Sequence, residues 1–206
     1  MKIETLQVGP IGTNCYLFCD DTAQVCAVID PGGEPARIAA AIEKTGCRPC
    51  AILLTHGHYD HTGGVDGLRE KWPGLPVYLN RRDQYPEDAR LQELFPLLPD
   101  TTGYDEGDTV QVGSQAISVL ATSGHSEGSV TLRWEDHLFC GDTLFAGSCG
   151  RTDFPGGSME KMMASLRRLG ELTGDLRVCP GHMEPSTLHM ERQRNPYLRQ
   201  AMAGGR

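Results

Sequence analysis

The chain of 206 residues has no apolar run approaching the roughly 18 residues that a bilayer crossing requires. Its first residues, MKIETLQVGPIGTN, alternate polar and apolar side chains where a signal peptide would carry a continuous apolar core. No membrane partner is expected, and the chain reads as cytoplasmic. A basic excess is missing too, since 19 Lys and Arg stand against 27 Asp and Glu, a net charge of −8. Neutralising phosphates takes a Lys/Arg-rich surface, so no nucleic-acid partner is expected. There is no low-complexity tract, no linker and no fixed-period repeat, and no stretch is polar enough to stay disordered. A single domain spanning 1–206 is therefore expected, in two halves of about 1–107 and about 108–206, burying about 70% of the surface of the unfolded chain. No feature that would set an oligomeric state stands out.

Eight cysteines are present. In a reducing cytosol they remain thiols, so the even count does not signal bridges. The closest pair, Cys47-Arg48-Pro49-Cys50, has redox-motif spacing but runs straight into a strand without a thioredoxin-like surrounding, which favours small buried or loop residues.

Short apolar or alternating runs at 3–8, 15–18 and 25–29, parted by Gly9-Pro10 and Asp20-Asp21, predict a strand meander. Residues 34–46, EPARIAAAIEKTG, space Ile38, Ala41 and Ile42 as an amphipathic helix stopped by Gly46. Strands follow at 51–54 and 77–79, with helical segments at about 64–71 and 87–94. The second half predicts strands at 109–112, 116–121, 130–134, 138–140 and 176–179. A helix at about 158–169, with Ser158 as N-cap and Lys161, Arg167 and Arg168 facing outward, and a helical C-terminus complete it. Each half runs strands, helix, strand, the order of an α/β body with two similar halves.

One passage dominates the chemistry: His56-Gly57-His58-Tyr59-Asp60-His61 directly follows a buried strand. Four ligand-competent side chains within six residues are hard to explain by packing. Imidazole and carboxylate suit zinc, iron(II) or manganese, and no thiolate joins them as it would in a structural Cys-rich zinc site. By spacing, His56 and His58 can face one ion, and Asp60 and His61 a second. The same pattern of apolar strand, small-residue turn and ligand recurs through Ser123-Gly124 to His125, through Gly141 to Asp142, and through Pro180-Gly181 to His182. Loops at strand ends on a rigid scaffold are where sites are usually assembled.

The HxHxDH run at His56 to His61, the GH at Gly124-His125, the GDTLF at Gly141 to Phe145 and the PGH at Pro180 to His182 stand in order along nearly the whole chain. Together they resemble the metallo-β-lactamase superfamily. GDTLFAGSCGRTDFPGGS and the closing ERQRNPYL resemble its short glyoxalase II-like, or hydroxyacylglutathione hydrolase-like, branch. The resemblance implies an α/β fold, the four-layer αββα sandwich, with a metal site at one edge of the two sheets. It implies two divalent ions, zinc first, with iron or manganese as alternatives. His56, His58 and His125 would hold one, Asp60, His61 and His182 the other, and Asp142 would bridge them. Ions so placed activate water at neutral pH, and a catalytic Asp60 would orient it and pass a proton to the leaving group. Thr55, Thr143 and Ser126 are placed either to steady the imidazoles or as ordinary turn residues.

The implied activity is hydrolysis of a small-molecule thioester, an acylglutathione or a similar acyl-thiol. Full-length glyoxalase II enzymes carry a larger helical region that contacts glutathione; here 24 residues follow His182 (206 − 182), so glutathione recognition is not implied. Tyr59, Arg151, Asn195 and Tyr197 are candidate substrate contacts, although Arg151 could instead pair with Asp153. Cys149 is near enough in sequence to be either reactive or structural. Two other activities stay open. One is a mononuclear iron persulfide dioxygenase resting on His56, His125 and Asp142, whose relatives carry GCGRTDF-like runs; the other is lactone or β-lactam hydrolysis by the same centre.

Overall fold

In the computed structural model, which describes residues 1–85 and 87–204, strand β2 (Thr13–Asp20) is buried along its whole length. A strand covered on both faces needs a layer on each side, and the alternation shows what those layers are. Cys15, Leu17 and Cys19 point into one apolar cluster with helix residues Ile38, Ile42 and Leu68, whereas Tyr16 and Phe18 point into a second with Trp134 and Phe139 of another sheet. The result is a four-layer αββα sandwich.

The first sheet orders its strands as β1 (Lys2–Val8), β2, β3 (Val25–Ile29), β4 (Arg48–Leu53), β5 (Val77–Leu79) and β6 (Thr101–Gly103). Its pairs are antiparallel up to β3 and parallel from there. Helices α1 (Pro35–Thr45), α2 (Tyr59–Thr62) and α3 (Val65–Lys71) belong to this half, with α1 and α3 on the outer face. Pro35 opens α1, and Gly46 ends it at φ 74°, a left-handed conformation that suits glycine.

The second sheet is formed by β7 (Thr109–Val112), β8 (Gln115–Ala121), β9 (Val130–Trp134), β10 (His137–Gly141), β13 (Arg177–Pro180) and β14 (Ser186–Thr187), ordered β14-β13-β10-β9-β8-β7. A short hairpin, β11 (Leu144–Phe145) and β12 (Ser148–Cys149), projects between β10 and the helix α4 (Met159–Gly170). The side chain of Ser158 caps α4 by accepting the Lys161 amide, and α5 (Leu188–Arg194) and α6 (Pro196–Ala203) follow β14. Leu138, Cys140 and Val178 face α4 and α6 in a third apolar cluster, while Phe139 faces the other sheet.

All eight cysteines are free, five of them among these clusters' fully buried strand residues or nearly so, where a thiol packs as a small apolar group. Among the described residues no helix is long and apolar enough to cross a membrane. The helix expected at 87–94 is a correction: this stretch is a chain of turns. The Asp88 side chain accepts the Arg90 amide at 3.1 Å, a local bond that competes with helix formation. Leu94 and Phe95 are directed instead to the region described next.

Candidate metal centre

Four strand ends converge at one edge of the sandwich. Beyond β4 the chain delivers His56 and His58 and then turns into α2, whose first turn carries Asp60 and His61. Loops after β8, β10 and β13 deliver His125, Asp142 and His182. All seven residues singled out by the sequence meet here. His125 Nε2 lies 2.9 Å from His58 Nδ1, and His182 Nε2 lies 3.1 Å from Asp60 Oδ2. Asp142 sits between the two groups: Oδ1 is 3.4 Å from His61 Nε2, and Oδ2 is 3.5 Å from His125 Nε2 and 3.6 Å from His182 Nε2. Three sets, His56/His58/His125, His56/His61/Asp142 and Asp60/His61/His182, each bring one ligand atom per residue within 4.8 Å of the others.

This arrangement fits divalent cations. His56 Nε2, His61 Nε2 and Asp142 Oδ1 are buried without a hydrogen-bond partner, although such orphaned polar atoms are rare in folded proteins. Convergent imidazole nitrogens and carboxylate oxygens are the donor set of zinc, iron or manganese. Burial, reinforced by neighbouring histidines, holds His56 far below the usual imidazole range and His58 down at about 3, so both rings are neutral and ligand-ready. For His61, burial acts in the same direction, but the charges of Asp142 and Asp30 outweigh it and raise the ring's pKa. Asp142 is the counterpart: burial opposes its charge, yet His61 and His125 keep its carboxyl well below the ordinary range.

Polar neighbours fix the ligands. Asp30 Oδ2 accepts the Thr55 hydroxyl at 2.7 Å and lies 3.0 Å from His61 Nδ1, while Thr55 Oγ1 is 3.2 Å from His56 Nδ1. The backbone carbonyl of Arg151 sits 2.8 Å from His125 Nδ1. The His182 loop is tied to β2 of the opposite sheet, where Tyr16 donates to the Pro180 carbonyl at 2.7 Å and the Asn14 amide side chain donates to Pro180 and Met183 carbonyls at 3.0 and 2.9 Å. Of the three hydroxyls considered from sequence, only Thr55 lies beside an imidazole. Thr143 bonds to Thr122, and Ser126 to Asp83 and Ser129.

A four-layer sandwich with this ligand cluster at its edge accords with a sequence match to the metallo-β-lactamase superfamily over residues 8–182. The chain belongs to that superfamily. The Haemophilus influenzae protein named hydroxyacylglutathione hydrolase GloC is 34% identical across 96% of this chain and 98% of its own length. Longer proteins named hydroxyacylglutathione hydrolase also match, and the chain spans 57% to 65% of their length. Among solved structures, the B3 metallo-β-lactamase BLEG-1 superposes with a TM-score of 0.86 at 32% identity, covering 96% of this chain and 99% of that one. TTHA1623 in a di-iron-bound form gives 0.78 at 38%, covering 94% and 99%, and ETHE1 from Myxococcus xanthus gives 0.83 at 26%, covering 98% and 88%. This superfamily member is an enzyme of the metallo-hydrolase type.

A cleft of about 480 Å³ opens onto the cluster of this metallo-hydrolase. Its walls are apolar, formed by Ile11, Leu94, Phe145 and Phe154, none of which the sequence singled out. Leu94 lies at the end of the 87–94 stretch expected to be helical, and the turns there aim it into the cleft. Tyr59 and Arg151 line the mouth, and Arg151, the one Arg or Lys among the described lining residues, is forked onto Asp153 by two bonds of 2.7 Å and lies 3.7 Å over the Phe154 ring. Asn195 is a correction, because it is fully buried and out of the cleft. Its carbonyl oxygen caps α6 and its amide donates to Phe145, Ser148 and Glu191. Tyr197 lies on α6 and is not among the cleft-lining residues. Cys149, on β12, is half-buried, and burial pushes its thiol up to about 11.

Proposed function

We propose that the chain is a dinuclear metal-dependent thioester hydrolase of the glyoxalase II type, acting on an acylglutathione or a similar acyl-thiol. The position of Asp142 carries this reading. A carboxylate whose Oδ2 lies at nearly equal distance from His125 and His182 is suited to two ions, one held by His56, His58 and His125, the other by Asp60, His61 and His182. Such ions, when bound, supply Lewis acidity and a nucleophile at neutral pH. Zinc is the first expectation, and the di-iron form of a relative supports iron as the alternative.

The chain's own residues do the rest. Burial works against the charge of Asp60, but its bond to His182 and the nearby His61 outweigh it, so the carboxyl sits below its usual range and is ionised at neutral pH. Asp60 Oδ2, also approached at 3.4 Å by the Thr13 hydroxyl, can therefore orient the attacking oxygen and carry its proton to the departing thiolate. Phe145, Phe154, Leu94 and Ile11 exclude water around the acyl group, while Tyr59 and Arg151 meet the polar part of the leaving group.

The likeness to ETHE1 supports a second reading, persulfide oxidation at one iron through His56, His125 and Asp142. Elemental analysis combined with turnover of lactoylglutathione separates the two. Two ions per chain and thioester hydrolysis are expected. One iron per chain with oxygen uptake on a persulfide would transfer the assignment to the second reading, and no thioester turnover with both ions bound would remove the first.

A further inference from the structure

Asp83 is a buried acid outside the ligand set. It ends the single 3-10 turn Arg81–Asp83 that follows β5, and it is 0% exposed. Its carboxylate accepts three hydrogen bonds: Oδ2 from the Gly57 amide at 2.9 Å and the Ser126 hydroxyl at 2.7 Å, and Oδ1 from the Gly128 amide at 2.7 Å. Gly57 stands between His56 and His58, and Ser126 directly follows His125. A side chain from a third loop thus joins the two loops that supply His56, His58 and His125. None of its hydrogen bonds is made to Asp60, His61 or His182 themselves or to the loop that carries His182.

The fit leaves no room for adjustment. A Cβ at Gly57 would meet Asp83 Cβ at 2.8 Å, and one at Gly128 would meet Asp83 Cγ and Oδ1 at 2.7 Å. The glycine within the His-Gly-His run therefore admits this carboxylate as well as turning the chain. Burial pushes the Asp83 carboxyl upward, and its three donors act against that push. A buried acid kept in this way needs a geometric return, and the 2.9 Å approach of His125 Nε2 to His58 Nδ1 is the geometry it holds.

We propose that Asp83 is a positioning residue that sets the spacing of the His56/His58 loop against the His125 loop and so tunes the affinity of that one ion site. The inference rests on the reading of these histidines as metal ligands. Partners behind ligating residues typically change metal affinity by about 10- to 100-fold when removed. Asp83→Asn keeps the size but turns an amide donor toward one of the three donors, so the loops separate.

The test uses the zinc-loaded enzyme, with chelator competition for the two dissociation constants and anomalous diffraction at limiting zinc to read occupancy at each position. Asp83→Asn is expected to weaken the His56/His58/His125 position at least about tenfold and leave the Asp60/His61/His182 position within about threefold. Ser126→Ala, which removes one of the three bonds, should weaken the same position by a smaller factor. It carries the test alone if Asp83→Asn does not fold. Equal weakening of both positions, or no change at either, overturns the proposal while leaving the thioesterase reading intact. A wild-type chain that takes up no zinc at the three histidines overturns both.

Discussion

The loop after β4 and the three ligand loops of the second sheet achieve the same placement by different means. The first packs His56, His58, Asp60 and His61 into one short segment, and the first turn of α2 orients two of them. The others each present a single ligand, and each is steadied from elsewhere: His125 by the carbonyl of Arg151, the His182 loop by Asn14 and Tyr16 of the opposite sheet. Density within a segment lets local backbone geometry share the positioning with Asp30 and Asp83, which brace that segment from outside. Isolated ligands depend on contacts outside their own loops, and the His182 loop is only as rigid as its attachment to the opposite sheet.

Substitutions can break this contrast. The largest effect is expected at Asp142, where Asp142→Ala should release both ions and reduce turnover at least about 100-fold, while His58→Ala should remove mainly one ion and at least about tenfold of the activity; metal counts on dialysed protein compare them. If His58→Ala empties both positions, the dense loop is less self-sufficient than described. Next comes Asn14→Ala, which frees two carbonyls of the His182 loop and should destabilise by about 1–3 kcal/mol, with zinc affinity falling chiefly at the Asp60/His61/His182 position, as read by chelator competition.

A smaller effect concerns how the halves are joined. Asp20, at the end of β2, accepts the hydroxyl and amide of Ser114 at the β7–β8 turn, and these bonds, with amides of Ala23 and Thr22, lower its carboxyl to about 2. A folded-state value below the unfolded one of about 3.9 adds stability above that pH, and the gain is lost as pH falls through about 2. Asp20→Asn should therefore lower the urea midpoint at pH 7, with the gap to wild type closing between about pH 4 and pH 2. The smallest effect is expected at Tyr197, where Tyr197→Phe should leave kcat/KM within about twofold. A larger fall would bring α6 into the substrate site.

The same contrast explains what the sequence could disclose. Clustered ligands are a local pattern, and so are the apolar run of 25–29 and the capped helices at Ser158 and Gly46. Asp30, Asn14 and Tyr16 act on segments far away along the chain, and no local spacing marks such a partner. Asn195 did carry a readable signal, since Asn followed by Pro196 is an N-cap with proline at the first helical position. At 87–94 no helix forms, and Leu94 and Phe95 serve the site, the Phe95 and His58 ring centroids lying 4.5 Å apart.

Cys149 belongs to the same hairpin whose Phe145 walls the cleft. Burial pushes its thiol up to about 11, so at pH 7 it is held in the protonated form. Under the thioesterase reading proposed above, an acyl group passing this hairpin would meet a protonated thiol in place of a competing thiolate. Burial of one side chain thereby keeps this sulfur a packing group and not a nucleophile.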